Sequence, residues 1–588
     1  FQISNPSTGS ISGGTGTGTI INDDPLSISQ IQGSQGISSF AGNTVTTIGI
    51  VTYVNTSGYF IQTPDAQTDG DPNTSEGIFV FTGAAAKPTL AQLVTVTGPV
   101  IEFGSTSNTA SQFYDPARLS LTEFASGSTF SVISSGNPLP APVVLTSADL
   151  NPNFQINDST DLAKVEALEK YEAMRVTVGD LRVVESTGTN GVFFAVLNTY
   201  AGSPLREIGI PRNQIYPLVP GSLPAGAPRF DANQEVIAVD TDGNRSLTPL
   251  IAGVGQIVPG FTGVLDYGPH RHLILPDTAF PVTATQLLPV RAVRPRTSEE
   301  FTIASMNLEQ FTTDAALLAK IGNSIVNTVR TPDIIGLQEV PSSANLTALA
   351  TSLNTLLGSI TPATSPYISY FGPTTDGGMH NGYLVNTTRF TPQVAAGGSL
   401  PEVFLSTGGR APLVLKGTVT LNNANYPITV IDNHLKSLIG SDYPSDNADR
   451  AKREGQAKDL ANDVQSRING GENVVVAGDF NAFLFNDGLV DLINTIAGMP
   501  SPCIQTLICI PDVWSHTLLY PAELFLSAAE RYSFVFRGDR QALDHILASP
   551  SLQSRLSGYD IAHINSEYPS SLKTTSTSVR YSDHDHPV

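Results

Sequence analysis

In the second half of this 588-residue chain, acids, amides and imidazoles stand where short apolar runs stop. Asn307 closes Thr302-Ile303-Ala304-Ser305-Met306, and Glu339 closes Ile334-Ile335-Gly336-Leu337-Gln338. His434 ends the run that starts at Ile428, while Asp479 and Asn481 follow Val474-Val475-Val476-Ala477-Gly478. Asp544 and His545 precede Ile546-Leu547. These side-chain types bind hard cations and accept or donate protons. Seven of the nine histidines fall in 298–588, yet none forms a His-Glu-x-x-His or Cys/His metal motif.

The elements that must carry these residues alternate between strand and helix. Leu317, Ile321, Ile325 and Val329 recur every four residues and predict an amphipathic helix over 313–329, capped by Thr312 or Thr313. Asp333–Val340 reads as a buried strand and 343–357 as a second helix. A third helix, 448–468, turns Ala457, Leu460, Val464 and Ile468 inward and leads directly into Val474–Ala477. That order predicts a layered α/β domain over 298–588. Ligands in such domains gather beyond strand ends, so residues as distant as 307 and 545 can converge. Arg450, Lys452 and Arg453 at the start of the third helix read as a solvated face, and His516, His545, His563 and Asn433 as structural or orienting.

Seven phrases in order carry a specific resemblance. They are Met306-Asn307, Leu337-Gln338-Glu339, Arg410-Ala411-Pro412-Leu413, Asn433-His434-Leu435-Lys436-Ser437, Gly478-Asp479-Phe480-Asn481, Leu543-Asp544-His545 and Ser582-Asp583-His584. The set resembles the endonuclease/exonuclease/phosphatase family, which includes the pancreatic-type deoxyribonucleases and abasic-site endonucleases. Tyr532-Ser533-Phe534-Val535-Phe536 and Ala562-His563-Ile564-Asn565 resemble its secreted bacterial nuclease branch. The resemblance implies a layered α/β sandwich of the deoxyribonuclease type. It implies that Asn307 and Glu339 hold Mg²⁺, with Mn²⁺ as an alternative, and that Asp583 contributes or holds a second ion. Asp479 and Asn481 would orient and deprotonate the attacking water. His434 and His584 would donate to the phosphoryl oxygens, Asp544 would pair with His584, and Arg410 would offer its planar fork to a phosphate. Deoxyribonucleases carry a Glu near Tyr383-Leu384-Val385 that supports the first histidine; here the neighbours are His380 and Asn381, and the closest acid is Asp376. The family pattern Ser-Asp-His-x-Pro meets one residue too many in Ser582-Asp583-His584-Asp585-His586-Pro587. The terminal pair is therefore either Asp583 with His584, the expectation adopted, or Asp585 with His586.

The first half has a different texture. Val45–Val51 with an internal Gly49, Gly58–Gln62, Gly77–Phe81 and Leu93–Gly98 read as strands, and a strand-internal glycine marks a bend. Met174–Leu181 with Gly179, followed by Gly191–Val196, repeats the pattern. Residues 26–145 and 146–290 are thus expected to be two OB-like barrels, joined by a linker rich in proline (Pro138, Pro140, Pro142) and followed by a second linker over 286–300. Both resemble the OB-like modules upstream of secreted bacterial nuclease domains. Residues 1–24, ending in Asn22-Asp23-Asp24, resemble the last hairpin of a Calx-β domain. Asp65, Asp69, Asp71 and Glu76 lie in one loop, either as a structural Ca²⁺ site or as a solvated acidic loop.

The net charge is −21, with only 14% charged residues. Residues 298–588 hold 17 basic and 28 acidic side chains. Such a chain is no generic nucleic-acid coat, yet a divalent cation can offset the acidity where a polyanion is cut. No apolar run approaches the roughly 18 residues of a membrane span. The chain is expected to be part of a longer, exported precursor. Cys503 and Cys509 form either one small-loop disulfide or two reduced apolar side chains. The resulting expectation is a secreted Mg²⁺-dependent nuclease acting on DNA or RNA, with DNA favoured and endonucleolytic cutting, and no protein partner. The rivals are another phosphoester hydrolase of the same fold, such as a sphingomyelinase or inositol-phosphate phosphatase, or a non-catalytic surface adhesion protein.

Overall fold

The computed structural model describes residues 24–34, 36–103, 120–150, 168–201, 226, 235–243, 245, 247–268, 271–281, 285–360, 366–372, 378–393, 402–403, 410–439, 441, 447–508 and 516–588. The Calx-β-like segment up to residue 23, Asp376 and Cys509 lie outside them. Cys503 stands in a disulfide.

The strand Thr44–Val54 pairs through residues 44–50 with Leu93–Phe103 and through residues 50–54 with Gly58–Gln62. Gly49 lies at the changeover, where a Cβ would approach the Ile61 Cβ to 3.0 Å. Gly58–Gln62 pairs onward with Gly77–Phe81, which runs parallel to Leu121–Phe124, and that strand returns to Leu93–Phe103. Five strands thus form a closed ring around Val51, Ile61, Ile78, Val80, Val94 and Phe124. The second unit repeats this order with its bent strand split at Gly179-Asp180. Arg175–Val178 pairs with Phe261–Gly268, and Leu181–Glu185 pairs with Val192–Leu197. Again the third strand, Ile237–Asp240, runs parallel to the last, Arg271–Pro276. Val143–Val144 also joins this second sheet.

The acidic loop 65–77 is held by its own carboxylates. Glu76 accepts from the Asp69 amide, Asp69 from the Asp71 amide and Asp71 from the Asn73 amide. Asp65 instead accepts from the Ala141 amide. Among the described residues these acids do not converge as a metal-holding group.

Residues 298–588 form two facing sheets, each with helices on its outer side. In the first sheet Ile303–Asn307 and Ile334–Val340 run parallel, followed by His380–Asn386 and Tyr367–Phe371. In the second, Leu413–Leu421, Ala424–His434, Val474–Asp479 and Asp544–Ala548 lie side by side, with Ala424–His434 parallel to Val474–Asp479. Ile334, Tyr383, Val385, Leu413, Leu415 and Val430 fill the space between the sheets. The helix Ala315–Asn327 packs Leu318, Ile321 and Ile325 on the first sheet together with Leu349 and Leu353 of the helix Ser343–Ile360. Each such side chain contributes about 1.5–3 kcal/mol when fully buried. The cap of the first helix is Asp314, whose side chain accepts from the Leu317 amide, rather than Thr312 or Thr313. The helix Asn447–Asn469 covers the second sheet through Ala457, Leu460 and Val464.

Candidate active site

Parallel pairing brings the carboxyl ends of strands to one end of a sheet, and here it does so twice. Asn307 registers with Gln338, next to Glu339, while His434 registers with Asp479 and Asp479 with Asp544. Gly478 permits this packing: at φ +146° it lies so close to Asn433 that a Cβ would overlap its carbonyl oxygen. A bulge between Leu337 and Val340 leaves Glu339 at φ +57°, re-aiming its side chain. A non-glycine residue held there costs on the order of 1 kcal/mol, which the surrounding sheet must enforce.

The Asn307 amide donates to Asp479 Oδ2 at 3.0 Å and faces Glu339 Oε1 at 3.4 Å. Asn481 donates its own amide N–H to Asp479 Oδ1 at 2.8 Å and its side chain to Asp479 Oδ2 at 3.1 Å. Even with these donors, burial and the Asp544 charge, against the opposing charge of His584, push Asp479 up to about 7. Asp544 Oδ2 accepts from His584 Nδ1 at 2.7 Å and from Ser533 Oγ at 2.6 Å. Burial works against a charge on His584, but Asp544, Asp479 and Asp583 overcome it and hold the imidazole protonated well above its usual range. Bonded through Nδ1, His584 keeps Nε2–H available to a ligand. The Phe534 ring packs on it with centroids 4.9 Å apart.

Asp585 and His586 have other work. Asp585 accepts from the amides of Ile564 and Asn565, from Ser566 Oγ and from His563 Nδ1, and this set holds it down at about 2. His586 stacks on Tyr581, meets Asn565 at 3.1 Å and is pushed down to about 4 by burial. It is Asp583 and His584, not Asp585 and His586, that the loop presents beside Asp544 and Glu339.

His434 differs from the expectation drawn from its type. Its Nε2 lies 2.6 Å from Arg410 Nη1 and 3.5 Å from Asp479 Oδ2. A guanidinium only donates, so Nε2 here accepts, and burial with the charges of Arg410 and His584 holds the ring neutral. Its Nδ1 is buried with no hydrogen-bond partner among the described residues. Neither His380, bonded to the Gly372 carbonyl, nor Asn381, bonded to that of Asp432, supports it. Arg410 also donates to the Leu435 carbonyl at 3.1 Å. For His434 to donate to a phosphoryl oxygen, Arg410 must first move onto the ligand.

The residues expected to hold a metal fit one by chemistry. Burial and the neighbouring Asp583 charge raise Glu339 against the opposing charges of His584 and Arg410, so two carboxylates with hard oxygens stand near each other. Asp479, Asp544 and His584 also bring ligand atoms within 4.8 Å of one another. There, however, the imidazolium already sits between the two carboxylates and neutralises them in part.

Several supporting residues were not read from the sequence. Arg450 and Arg453, expected on a solvated face, are 1% and 0% exposed. Asp432 lies buried between the sheets, where it accepts from Gln338 Nε2 at 2.5 Å and links the strand of Glu339 to that of His434. His545 and His563 are structural as expected. His545 bridges Glu523 and the Ala482 carbonyl, and His563 lies against Tyr532.

Residues 304–584 match the profile of the Endonuclease/Exonuclease/phosphatase family. Similar solved structures include TDP2 from C. elegans at 15% identity, covering 49% of this chain and 73% of that one, TM-score 0.31. The human Nocturnin catalytic domain with bound sulfate follows at 16% identity, 49% and 91% coverage and TM-score 0.31. A mannosyl-6-phosphatase of Bacteroides thetaiotaomicron is similar at 14% identity, 49% and 98% coverage and TM-score 0.31. No curated protein sequence matches the chain. Among the described residues no helix is long and apolar enough to cross a membrane.

Proposed function

We propose that this protein is a secreted hydrolase that cuts DNA phosphodiester bonds endonucleolytically with the help of a divalent cation. The observation that carries the reading is the protonated His584–Asp544 pair standing beside Asp479, with Asn307, Glu339, Arg410, His434, Asn481 and Asp583 at the same end of the two sheets. In-line hydrolysis needs a positioned water, a group to take its proton and donors for the charge that builds on phosphorus. Asp479, oriented by Asn307 and Asn481, takes the proton. His584 Nε2–H donates to a phosphoryl oxygen, and Arg410 leaves His434 to bind the phosphate. Asn307, Glu339 and Asp583 would hold Mg²⁺ or Mn²⁺, which when bound supplies positive charge to the phosphoryl oxygens.

The disulfide at Cys503 supports export to an oxidising compartment. The repeated five-strand order upstream supports two OB-like modules, which act as adaptors for substrate or surface. The test offers supercoiled plasmid, linear DNA, RNA, sphingomyelin and inositol phosphates in parallel, with Mg²⁺, Mn²⁺ or EDTA. Nicking of plasmid in Mg²⁺ and silence in EDTA are expected. Turnover of sphingomyelin or inositol phosphates without DNA cleavage would replace the nuclease reading, and no turnover of any substrate would refute hydrolysis.

A further inference from the structure

From the packing of the helix Asn447–Asn469 we infer that Arg453, backed by Gln456, is a positioning residue for the proposed hydrolysis: it clamps together the two loops that carry His434 and Asp479–Asn481. The proposal rests on the function proposed above.

The geometry is specific. Arg453 Nη1 donates to the Lys436 carbonyl at 2.6 Å and to the Asn481 carbonyl at 2.9 Å. Lys436 is two residues past His434, and Asn481 is two past Asp479. One helical turn further on, Gln456 Oε1 accepts from the Lys436 amide at 2.8 Å. Both backbone groups of Lys436 are therefore held by one face of the helix. The clamped loops also hold each other, since the Asn481 side chain donates to the Leu435 carbonyl at 3.2 Å and the Leu435 amide donates to the Asp479 carbonyl at 3.0 Å. Asn481 sits at φ +48°, a conformation that needs outside support.

A buried cation is costly unless paired and hydrogen-bonded. Arg453 is fully buried, with Asp487 3.9 Å from Nη2. A leucine at this position would continue the apolar stripe of Ala457, Leu460 and Val464 without that cost. What a leucine cannot do is reach two carbonyls on different loops with one nitrogen. Lysine keeps the charge, but its Nζ stands one bond nearer the backbone than Nη1, short of the point from which both carbonyls are reached. The side chain is fully buried and offers no surface to a substrate, so it acts through the segments of Asn481 and of Lys436, which follow Asp479 and His434.

The test compares wild type with Arg453→Lys, Arg453→Met and Gln456→Leu in the full chain, on plasmid DNA with saturating Mg²⁺. It reads kcat, KM, the pH profile of kcat and the folded fraction at the assay temperature. Loosening groups that hold reacting residues typically costs about 10- to 100-fold. Both Arg453 variants should lose kcat by roughly that factor, with KM little changed and the acid limb of the profile displaced, while Gln456→Leu loses less. Should Arg453→Met fail to fold, Arg453→Lys carries the test. Wild-type kcat and an unmoved acid limb in folded Arg453→Lys would overturn the inference, as would a loss accounted for by the unfolded fraction alone. An inactive wild type would instead defeat the hydrolase reading itself.

Discussion

Replacing Asp479 by Asn should abolish turnover and yet spare the catalytic half a loss of stability that the wild type suffers as pH rises. Asp479 is 1% exposed, and its pKa is raised from 3.8 to about 7. The native state therefore binds this proton more tightly than the unfolded chain does. The stability the group contributes is complete below about pH 3.8 and is lost as pH rises through about 7. At about 1.4 kcal/mol per pKa unit, the loss relative to acid is about 2 kcal/mol by pH 5 and about 4 kcal/mol by pH 8. Asn cannot ionise and escapes that loss. It does, however, turn one acceptor into a donor facing the Asn307 and Asn481 amides, at about 1–3 kcal/mol independent of pH. The difference between variant and wild type should therefore move in favour of the variant by about 2–3 kcal/mol between pH 5 and pH 8. For a unit of this size that is roughly 4–8 °C in the midpoint of the catalytic transition. Calorimetric scans of both proteins in EDTA at pH 5, 6, 7 and 8 measure it. A stability difference that stays constant across this range would refute the assignment of a raised pKa to Asp479.

The same site yields three further expectations. Glu339→Gln should lower cleavage by about 10²-fold or more at saturating Mg²⁺ and weaken Mg²⁺ binding measured by titration calorimetry; near-normal rate and affinity would remove Glu339 from the cation site. His584→Ala should lose about 10²- to 10⁴-fold in kcat, whereas His586→Ala should keep most of its rate once folded and instead lose about 2–4 kcal/mol of stability from an emptied ring site; the reverse pattern would shift the terminal pair to Asp585 and His586. At limiting Mg²⁺, kcat/KM should rise with pH through about 7 as Asp479 ionises and fall again only where His584 loses its raised proton; a profile flat from pH 5 to 8 would contradict the assignment to Asp479, and one that falls between pH 6 and 7 the assignment to His584.

The strand-end residues could be read from sequence because two parallel strand pairs turn linear order into shared position. Once Asn307, Glu339, His434 and Asp479 each close an apolar run, the fold has little choice about where they meet. Gly49 and Gly179 mark local changes in pairing: Gly49 lies where its strand passes from one partner to the next, and Gly179 lies between two short strands. Arg450 and Arg453 were misread, although the signal was present. Positions 450, 453, 457, 460 and 464 follow one another at spacings of three and four, so the arginines extend the buried stripe. Charge alone points these arginines to solvent, but the period places them inward, where backbone carbonyls accept from them. The acceptor role of His434 could not be read at all. It depends on which rotamer of Arg410 reaches it, and no spacing encodes that. The terminal register was equally hidden, because both candidate pairs are an Asp followed by a His; the hydrogen bond from His584 to Asp544 separates them.

The hairpin that packs Phe534 against His584 also has a neighbour outside its own sandwich. At its tip the Gly538 amide donates to Glu185 Oε2 at 2.9 Å, and close by the Ser570 amide donates to the Thr187 carbonyl at 3.1 Å. Both acceptors belong to the end of one strand, Leu181–Glu185, of the second β-rich unit and the residues just after it. Any replacement of these residues would have to present a carboxylate and a carbonyl at the same two places to keep both bonds. A substitution at Glu185 is thereby felt at the hairpin beside His584, although Glu185 and Gly538 lie 353 positions apart in the chain.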